Sequence, residues 1–547
     1  MATLKFTGFP DGAKVTVDAL QDAQTDSATV DAWGDPVVRP TVAIRVTRAP
    51  VPEARHAPEG VKFEAFPSDF GFRDFGPQQD YDPEFHEILY EWDFGDNRSP
   101  WTAPRLPDEF NAPSKGYGKR VGHVFVEPGE FMVTCTARQI VSLDPLQVLS
   151  AKTTTLVKVT DPEDIYGAQR TAVVALDGDF TGAPASNHRF TSTAAARNFV
   201  QTWRSTRGGI FRVLLKRGED YRWDLDAKAF IAFDWDTSDS YDVAHVGSWG
   251  SGAKPLVPGI PVTTPSGKSL IVRGLDHTGD YDVNSDTFFH SGISEPTDPA
   301  APTESAARFA VGWLTVVDTD ISNVRIGLEI RGLSNILTSD SEWLVNQVFL
   351  DNVSITATGD YCMFVTDNNR DFFSLTGCAM RDDPYMLSEA VPPNPKAHSG
   401  IRTWRTGEWY LDGVDFFARS GWSAGQGWSD GLVPPAPQPC VRFTGQNLGE
   451  VITESNPAPN VDMFDILGSS YFTRCVFEGA GTILSRQISG FNGPQIMGND
   501  IVENSLFLGG PQTRSIAFTA SGGYTFRGNV VVTYDLGTEQ AIGSFVG

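Results

Sequence analysis

One short phrase recurs through the second half of the chain and limits what the chain can fold into. Each copy runs from an apolar residue through two polar or turn-forming residues and a small or apolar residue to a closing apolar residue. The copies are "VVDTDI" (316–321), "LDNVSI" (350–355), "LTGCAM" (375–380), "LDGVDF" (411–416), "FTRCVF" (472–477), "VENSLF" (502–507) and "FRGNVV" (526–531). A phrase that returns about every 24 to 36 residues is typical of a solenoid, whose coils bury their inner faces only by stacking. One spacing of about 61 residues, between 411 and 472, predicts an insertion or a second coil.

The residues of the phrase are those of strands. They are β-branched and aromatic, with Gly or Asn at the corners, which excludes helical solenoids. Aligning the copies puts Cys378 and Cys475 in the inward slot of Val353 and Val414, so we expect an interior ladder there. The five cysteines have no short-spaced pair, which favours buried free thiols over a disulfide framework or a zinc site.

A helix and two strands are predicted before the repeats begin. The segment "TSTAAARNFVQTWRST" (191–206) has the pattern of a capped amphipathic helix, and "RGGIFRVLLKRGEDYRWD" (207–224) that of two strands around a glycine turn. Together they resemble the opening of a right-handed parallel β-helix of the pectate-lyase-like superfamily, and "SLIVRGLD" (269–276) resembles the next coil. The resemblance implies a short helix that caps the end of the solenoid and covers its strand edges. We therefore expect a right-handed parallel β-helix over residues 164–547.

Residues 41–163 have the pattern of a second, separate β domain. The segments "GVKFEAF", "EILYEWDF", "GHVFVEPGEFMVTCTARQ" and "AKTTTLVKV" alternate with period two, which predicts a sandwich with one buried face per sheet. "YEWDFGDN" followed by "GHVFVEPGEFMVTCTA" resembles the signature of the PKD (polycystic-kidney-disease-type, Ig-like) domain. The matching residues are Trp92, Asp93, Phe94, Gly95, Asp96, His123, Phe125, Pro128, Gly129, Phe131 and Val133. A long insertion at about 97–119, and Cys135 where an apolar residue is usual, depart from the signature.

The paired aspartates of "WDFGD" predict a turn and not an active site. We expect Trp92 in the sandwich core with Cys135 on a neighbouring strand. We expect Asp93 and Asp96 to form a tight turn with side chains bonded to backbone NH groups, and His123 to pack or bond to that turn.

Two further segments flank this domain. Residues 1–40 begin with a predicted hairpin around "FPDGAK", with Leu4 and Val15 on its alternating faces, and form a candidate attachment or interface element. The segment "VTDPEDIYGAQR" (159–170) has the composition of a polar linker.

The composition excludes some classes of function. A formal net charge of −25 with no Lys/Arg run argues against nucleic-acid binding and against anionic membrane surfaces. No apolar run approaches the roughly 18 residues of a membrane span, so no membrane insertion is expected. The N-terminus "MATLKFTGFPDG" has no secretory signal pattern, so we expect a chain made in a cytoplasm unless a signal has been removed.

Carboxylates on neighbouring coils are the first candidates for chemistry. Inverting glycoside hydrolases need two carboxyl groups about 6.5–9.5 Å apart. The acids on or beside predicted strands are Asp318, Asp320, Asp367, Asp371, Asp382, Asp383, Glu408 and Asp412. None lies in a diagnostic motif of polygalacturonases or pectate lyases, and each taken singly is more often a solvated surface residue, so the catalytic pair stays unidentified.

The segment 398–431 combines tryptophan with arginine. Aromatic rings stack on sugar faces and Arg pairs with carboxylate or sulfate groups, which makes this segment a candidate for binding an anionic glycan. The candidate residues are Trp404, Trp409, Trp422, Trp428, Arg402 and Arg405. The alternative is that these tryptophans pack a long loop or a subunit contact.

Three functions remain open on the sequence alone. The first is a virion surface protein, like a phage tailspike or fibre or a head decoration, that binds host surface glycan with or without polysaccharide depolymerase activity. Its partners would be the polysaccharide, other virion proteins and copies of itself, since spike-type β-helices are usually homotrimers. The second is an exported, extracellular polysaccharide lyase or glycoside hydrolase with a PKD accessory module. The third is a purely structural or adhesive surface protein. The sequence indicates no cofactor and no metal site. A calcium ion stays open but is not indicated.

Overall fold

A computed structural model describes most of the N-terminal half and the strands of the repeats. The described residues are 2–4, 15–17, 39–71, 83–104, 106, 111–143, 146–207, 210–222, 232–233, 243–257, 262–263, 269–278, 281–282, 287–288, 305–309, 312–331, 347–366, 372–382, 399–403, 408–417, 420–424, 442–446, 450–453, 462–465, 469–479, 482–486, 499–508, 515–519, 523–532 and 541–545. None of the helices in these ranges has the length and apolarity needed to span a membrane.

Residues 39–160, here called the N-terminal unit, form two antiparallel sheets around one core. The elements up to this point and just beyond it are β1 (Ala2–Leu4), β2 (Val15–Val17), β3 (Thr41–Thr47), a 3-10 turn (Pro52–Ala54), β4 (Glu59–Ser68), α1 (Pro83–His86), β5 (Ile88–Asp93), β6 (Lys115–Tyr117), β7 (Arg120–Phe125), β8 (Gly129–Leu143), β9 (Leu146–Val159) and α2 (Pro162–Tyr166). The sheets have the orders β3-β4-β7 and β6-β5-β8-β9. Phe63 and Trp92 meet between them with ring centroids 5.8 Å apart, and Trp92 pairs in register with buried Cys135. The predicted alternation is therefore observed, while membership of the PKD family stays a prediction.

The "WDFGD" segment forms a turn in which the two aspartates differ. Asp93 Oδ1 accepts a hydrogen bond from the NH of Gly95 at 3.1 Å, where φ is +73°. Asp96 is buried and bonds to His123 Nε2 at 2.8 Å. Burial opposes its ionisation, but His123 and Arg98 hold the pKa of Asp96 below its ordinary value. Asp96 therefore ties the turn to β7 through a side chain and not through a backbone NH.

Two flanking segments can be compared with their predictions. β1 pairs antiparallel with β2, with Leu4 opposite Val15, and the role of this hairpin in attachment stays a prediction.

The polar-linker prediction for residues 159–170 is wrong. Asp161 caps α2 by accepting from the NH of Glu163 at 2.8 Å, and Tyr166 of α2 is buried. The segment is ordered because a buried aromatic anchors it.

The rest of the chain is a parallel β-helix. Its elements are β10 (Thr171–Val174), β11 (His188–Phe190), α3 (Thr193–Arg207), β12 (Ile210–Lys216), β13 (Ala232–Phe233), β14 (Val243–Trp249), β15 (Val262–Thr263), β16 (Ser269–Arg273), β17 (Asp276–Thr278), β18 (Tyr281–Asp282), β19 (Thr287–Phe288), β20 (Ser305–Phe309), β21 (Trp313–Val317), β22 (Asp320–Arg331), β23 (Gln347–Asp351), β24 (Ser354–Thr366), β25 (Phe372–Thr376), β26 (Ala379–Asp382), β27 (Ser399–Thr403), β28 (Glu408–Asp412), β29 (Asp415–Phe417), β30 (Ser420–Ala424), β31 (Arg442–Gln446), β32 (Glu450–Thr453), β33 (Asp462–Asp465), β34 (Ser469–Thr473), β35 (Val476–Gly479), β36 (Thr482–Arg486), β37 (Asn499–Glu503), β38 (Leu506–Leu508), β39 (Ser515–Thr519), β40 (Gly523–Arg527), β41 (Val530–Val532) and β42 (Ala541–Phe545).

Apart from β18 and β19, which pair antiparallel with each other, these strands form three parallel ladders. Ladder A has the order β11-β10-β12-β14-β16-β21-β23-β25-β28-β31-β34-β37-β40. Ladder B runs from β17 through the first halves of β22 and β24 to β26, β29, β32, β35, β38 and β41. Ladder C runs from β13, β15 and β20 through the second halves of β22 and β24 to β27, β30, β33, β36, β39 and β42. β31 lies between β28 and β34, so the long spacing in the repeats contains a second coil.

A single backbone conformation explains the repeated phrase. Between ladders A and B, one residue at each of eight described corners has a φ of +48° to +70°, which turns the chain through the corner. These corner residues are Gly274, Asp318, Asn352, Gly377, Gly413, Arg474, Asn504 and Gly528. Gly adopts this conformation at little cost, and Asn and Asp tolerate it better than other residues do. The phrase is thus the end of a ladder A strand, the corner, an inward residue and the start of a ladder B strand.

The inward residues form one core along the solenoid. Cys378 and Cys475 are buried in it with Val353 and Val414, as the alignment of the phrases predicts. Helix α3 buries Ala196, Val200 and Trp203 against the inward residues of the first coils. The helix therefore closes the start of the solenoid, where a cap is expected.

The N-terminal unit lies directly on the outer face of ladder A. The large outward side chains of the solenoid belong to the same core as the unit itself, and they are Trp313, Val317, Phe349, Phe372 and Tyr410. A side chain at Gly60 of β4 or Gly122 of β7 would overlap Phe349 or Ser374, so glycine permits the close approach of the two sheets.

The insertion within the unit supplies the polar part of this joint. Arg98 binds Asp351 through two hydrogen bonds, of 3.0 and 2.6 Å, and the Trp101 indole NH donates to Asp351 at 3.1 Å. The Trp101 ring lies against the corner glycines Gly377 and Gly413, where any side chain would collide with it. The insertion that departs from the PKD signature therefore contributes directional bonds that position the unit on the solenoid.

We expect Asp351→Asn to lower the free energy of unfolding by about 3 kcal/mol, because it leaves Arg98 buried without its charge partner. The measurement is urea unfolding followed by tryptophan fluorescence. Glu130→Gln, which removes a pair with both side chains mostly exposed, is the control and should leave the unfolding midpoint unchanged. Equal midpoints for the two variants would contradict the assigned role of Asp351.

Candidate functional site

The covered face of ladder A leaves no room for a ligand in the coils from β21 to β28. In the first coils, a loop from Leu176 to Asn187 covers the same face, with Phe180 stacked on Trp249 of β14 at a centroid distance of 6.4 Å. Farther along, Tyr471 of β34 packs against Phe85 of the N-terminal unit. A binding surface in these coils must therefore lie on one of the other ladders.

The outer face of ladder B is polar and partly exposed. Its first outward row follows the register from Asp276 to Asp320 and Ser354. The second row follows Thr278, Ser322 and Thr356 in the same strands. Neighbouring residues of a row lie about 4.8 Å apart, the spacing of adjacent strands. The face thus presents carboxylates and hydroxyls at a regular interval across three coils.

A carboxylate–cation cluster lies at the corner where these rows begin. Lys254 Nζ is 2.9 Å from Asp320 Oδ2 and 3.1 Å from Asp318 Oδ1. Arg217 Nη2 is 3.4 Å from Asp318 Oδ2. Asp318 and Asp320 remain 35% and 41% exposed, so a ligand can reach their oxygens. The cluster joins side chains from three coils, those that begin with β12, β14 and β21.

Asp276 is the member of the cluster with a perturbed acidity. Burial raises the pKa of Asp276, and the charge of Asp320 on the next coil raises it further. Thr278, Lys254 and Arg222 act in the opposite direction but do not cancel the effect. Two adjacent carboxyl groups in different environments are a common basis of general acid–base chemistry.

Metal chemistry has no visible basis within the described ranges. No three His, Cys, Asp or Glu side chains there converge in a way that could hold a metal ion. The cations of the cluster are the Lys and Arg side chains themselves.

The structure separates the acids that the sequence proposed as candidates. Asp318 and Asp320 belong to the cluster. Glu408 pairs with Lys62 at 2.9 Å and with Arg120, both in the N-terminal unit. Asp412 is buried beneath the unit and accepts from the Tyr410 hydroxyl at 3.2 Å. Glu408 and Asp412 are therefore wrong as catalytic candidates, because they lie in the joint.

Trp409 is wrong as a glycan-binding residue. It lies inside the solenoid, 1% exposed, with its ring stacked on Phe373 at 4.3 Å between centroids. The alternation along β28 explains this position, since Glu408 and Tyr410 point outward to the N-terminal unit and the residue between them points inward. Its ring has no face available to a sugar.

The other candidates are placed only in part. Arg402 lies on β27 of ladder C, Trp422 lies on β30 next to it, and Asp382 ends β26. Those outside the described residues are Asp367, Asp371, Asp383, Trp404, Arg405 and Trp428. Their roles stay predictions.

Three residues of the cluster are missing from the sequence-based candidates. Asp276 is the last residue of "SLIVRGLD", and aligning its "GLD" with the corner phrase "DTD" would have placed it beside Asp320. Lys254 and Arg217 lie in irregular segments between strands, where no periodic signal marks them.

Comparisons with known proteins add little to this geometry. No protein-family model matches the chain, and no curated protein matches it. In structure, the chain is similar to the A-module of the mannuronan C-5 epimerase AlgE4 of Azotobacter vinelandii, with 10% sequence identity and a TM-score of 0.23 over 70% of this chain and 99% of that one. At so low a TM-score, nothing about the function of this chain is taken from that protein.

We expect Asp276→Asn to raise the free energy of unfolding at neutral pH, by at most about 1 kcal/mol, because it removes one charge of a like-charged pair. The pKa of Asp276 is raised in the folded chain, so the ionised group weakens folding above that pKa, and the gain should vanish in acid. The measurement is thermal unfolding at pH 7 and in acid.

The matched control is Asp415→Asn, in the same outward row of ladder B. Asp415 is buried and pairs with Arg381, so its replacement should lower the free energy of unfolding. A loss of stability at pH 7 for Asp276→Asn, like that of the control, would show that Asp276 is a structural residue.

Proposed function

We propose that the protein binds a surface polysaccharide along the outer face of ladder B, centred on Asp276, Asp320 and Lys254. The contrast between two outer faces carries the proposal: ladder A is apolar and covered, whereas ladder B is polar and partly exposed in the coils of Asp276, Asp320 and Ser354. Carboxylate, hydroxyl and ammonium groups all bond to sugar hydroxyls. Because the face crosses several coils at a regular spacing, it suits an extended polymer better than a small metabolite.

A second function, hydrolysis of the bound polysaccharide, is favoured by the raised pKa of Asp276. In its protonated form, which the raised pKa makes available in acid, Asp276 would donate its proton to the glycosidic oxygen, and Asp320, held by Lys254, would act as base or nucleophile. The C–O bond to the leaving sugar breaks as water supplies the new hydroxyl.

The setting we propose is the surface of a virion, as a tailspike-like homotrimer that assembles with other virion proteins. The length of the solenoid favours this setting, because a spike holds its binding face away from the particle. The alternative is an exported, extracellular polysaccharide-active protein. Native mass spectrometry tests the assembly: a trimer supports the spike, whereas a monomer favours the alternative.

We expect the double variant Asp276→Asn/Asp320→Asn to weaken binding to host capsular or lipopolysaccharide glycans at least about tenfold, equal to about 1.4 kcal/mol. The measurement is biolayer interferometry with purified glycans. Glu130→Gln, on the far N-terminal unit, is the control and should bind like the wild type. Unchanged affinity in the double variant would reject ladder B as the binding face.

We also expect the wild type to release new reducing ends from the bound glycan and Asp276→Asn to release at least about 100-fold fewer, the usual effect of losing a general acid. A reducing-sugar assay on the same glycans measures this. Binding without new reducing ends would leave recognition as the function and remove hydrolysis.

A further inference from the structure

Two histidines from distant parts of the chain meet in the joint between the N-terminal unit and the solenoid. His56 precedes β4, and His245 lies on β14. Their rings stack with centroids 5.7 Å apart and an angle of 19° between planes. Tyr166 of α2 closes the group, with its hydroxyl 2.9 Å from His56 Nε2. All three side chains are buried.

The hydrogen bonds of His56 fit an uncharged ring. Nδ1 lies 3.0 Å from the carbonyl oxygen of Ala57, which can only accept, so Nδ1 carries the proton. Nε2 is then free to accept from the Tyr166 hydroxyl. A second proton on Nε2 would remove the acceptor that Tyr166 uses.

The charges around the two rings oppose protonation. Arg212 is the register neighbour of His245, and its guanidinium lies 5.3 Å from the centre of the Tyr166 ring. Arg273, on the next strand of ladder A, adds a second positive charge near His245. The negative groups facing the cluster come from α2 and its cap: Glu163, bound to Arg212 at 2.8 Å, and Asp161.

The pKa values follow from this environment. Burial lowers the pKa of His56 to about 4, and Arg212 contributes in the same direction. Burial lowers the pKa of His245 well below its ordinary value, and so do His56, Arg212 and Arg273.

We propose that His56 and His245 form an acid-sensitive latch between the N-terminal unit and the first coils of the solenoid. Uncharged, the two rings stack across the joint and keep it closed. Protonated, they place two imidazolium charges beside Arg212 in a buried space, and the joint opens.

The direction of the pH effect follows from linkage. In an open joint the histidines return to an ordinary pKa near 6.5, whereas in the closed joint their pKa values are lower. The closed joint is therefore fully stable above about pH 6.5 and loses stability as the pH falls towards the pKa of the closed state. His56 alone raises the equilibrium constant for opening about 70-fold between pH 7.5 and pH 4.5.

Hydrogen exchange of the full-length protein, followed by mass spectrometry and corrected for intrinsic rates, tests the latch. We expect exchange in residues 52–58 and 162–170 to rise about 70-fold between pH 7.5 and pH 4.5. Residues 98–104, held by Asp351 three coil steps from His245, are the reference segment.

His56→Gln cannot be protonated and should remove the roughly 70-fold contribution of His56. If this variant does not fold, His245→Phe keeps a ring in the stack without a charge, and its exchange should rise less in acid than that of the wild type. His188→Gln, on β11 outside the joint, is the matched control and should respond like the wild type. The latch is refuted if exchange at the joint does not change with pH, or changes equally in the wild type and in the latch variants.

Discussion

The contact between the outer face of ladder A and the three-stranded sheet of the N-terminal unit determines the rest of the structure. Each of the large side chains that it buries stabilises the joint by about 2 kcal/mol, and together they merge the unit with the solenoid. The strands of ladder A in these coils are therefore buried on both faces, and the polar surface available for ligands lies around the corner on ladder B.

Polar contacts give this joint its specificity. The buried pair of Arg98 and Asp351 gains little over an apolar contact of similar volume, because both charges lose their hydration. Its two hydrogen bonds and that of Trp101 nevertheless fix one position of the unit along the solenoid. Apolar packing holds the two parts together, and directional bonds select which coils meet.

Local pattern was sufficient to predict much of the fold. The corner phrase predicts the coils and the inward Cys378 and Cys475, because each depends on residues close in sequence or one coil apart. The joint could not be predicted, since it connects residues about 250 positions apart, such as Arg98 and Asp351, and neither segment marks its partner. Glu408 therefore has the pattern of an exposed acid although it is an interface residue. The candidate site was predicted in part: Asp320 follows from the phrase, whereas Lys254 lies where no periodicity exists.

The span of the joint has a consequence for how such a chain can vary. The N-terminal unit touches the solenoid from His245 on β14 to Tyr471 on β34, which are seven coil steps or about 34 Å apart. The contacts of the unit therefore require a fixed number of coils between these two strands. Gaining or losing a coil within this span would shift every contact beyond that coil by about 4.8 Å. Coils after β34 lie beyond the span of these contacts, so a change in their number would not shift them. Related chains should differ in length mainly in those later coils.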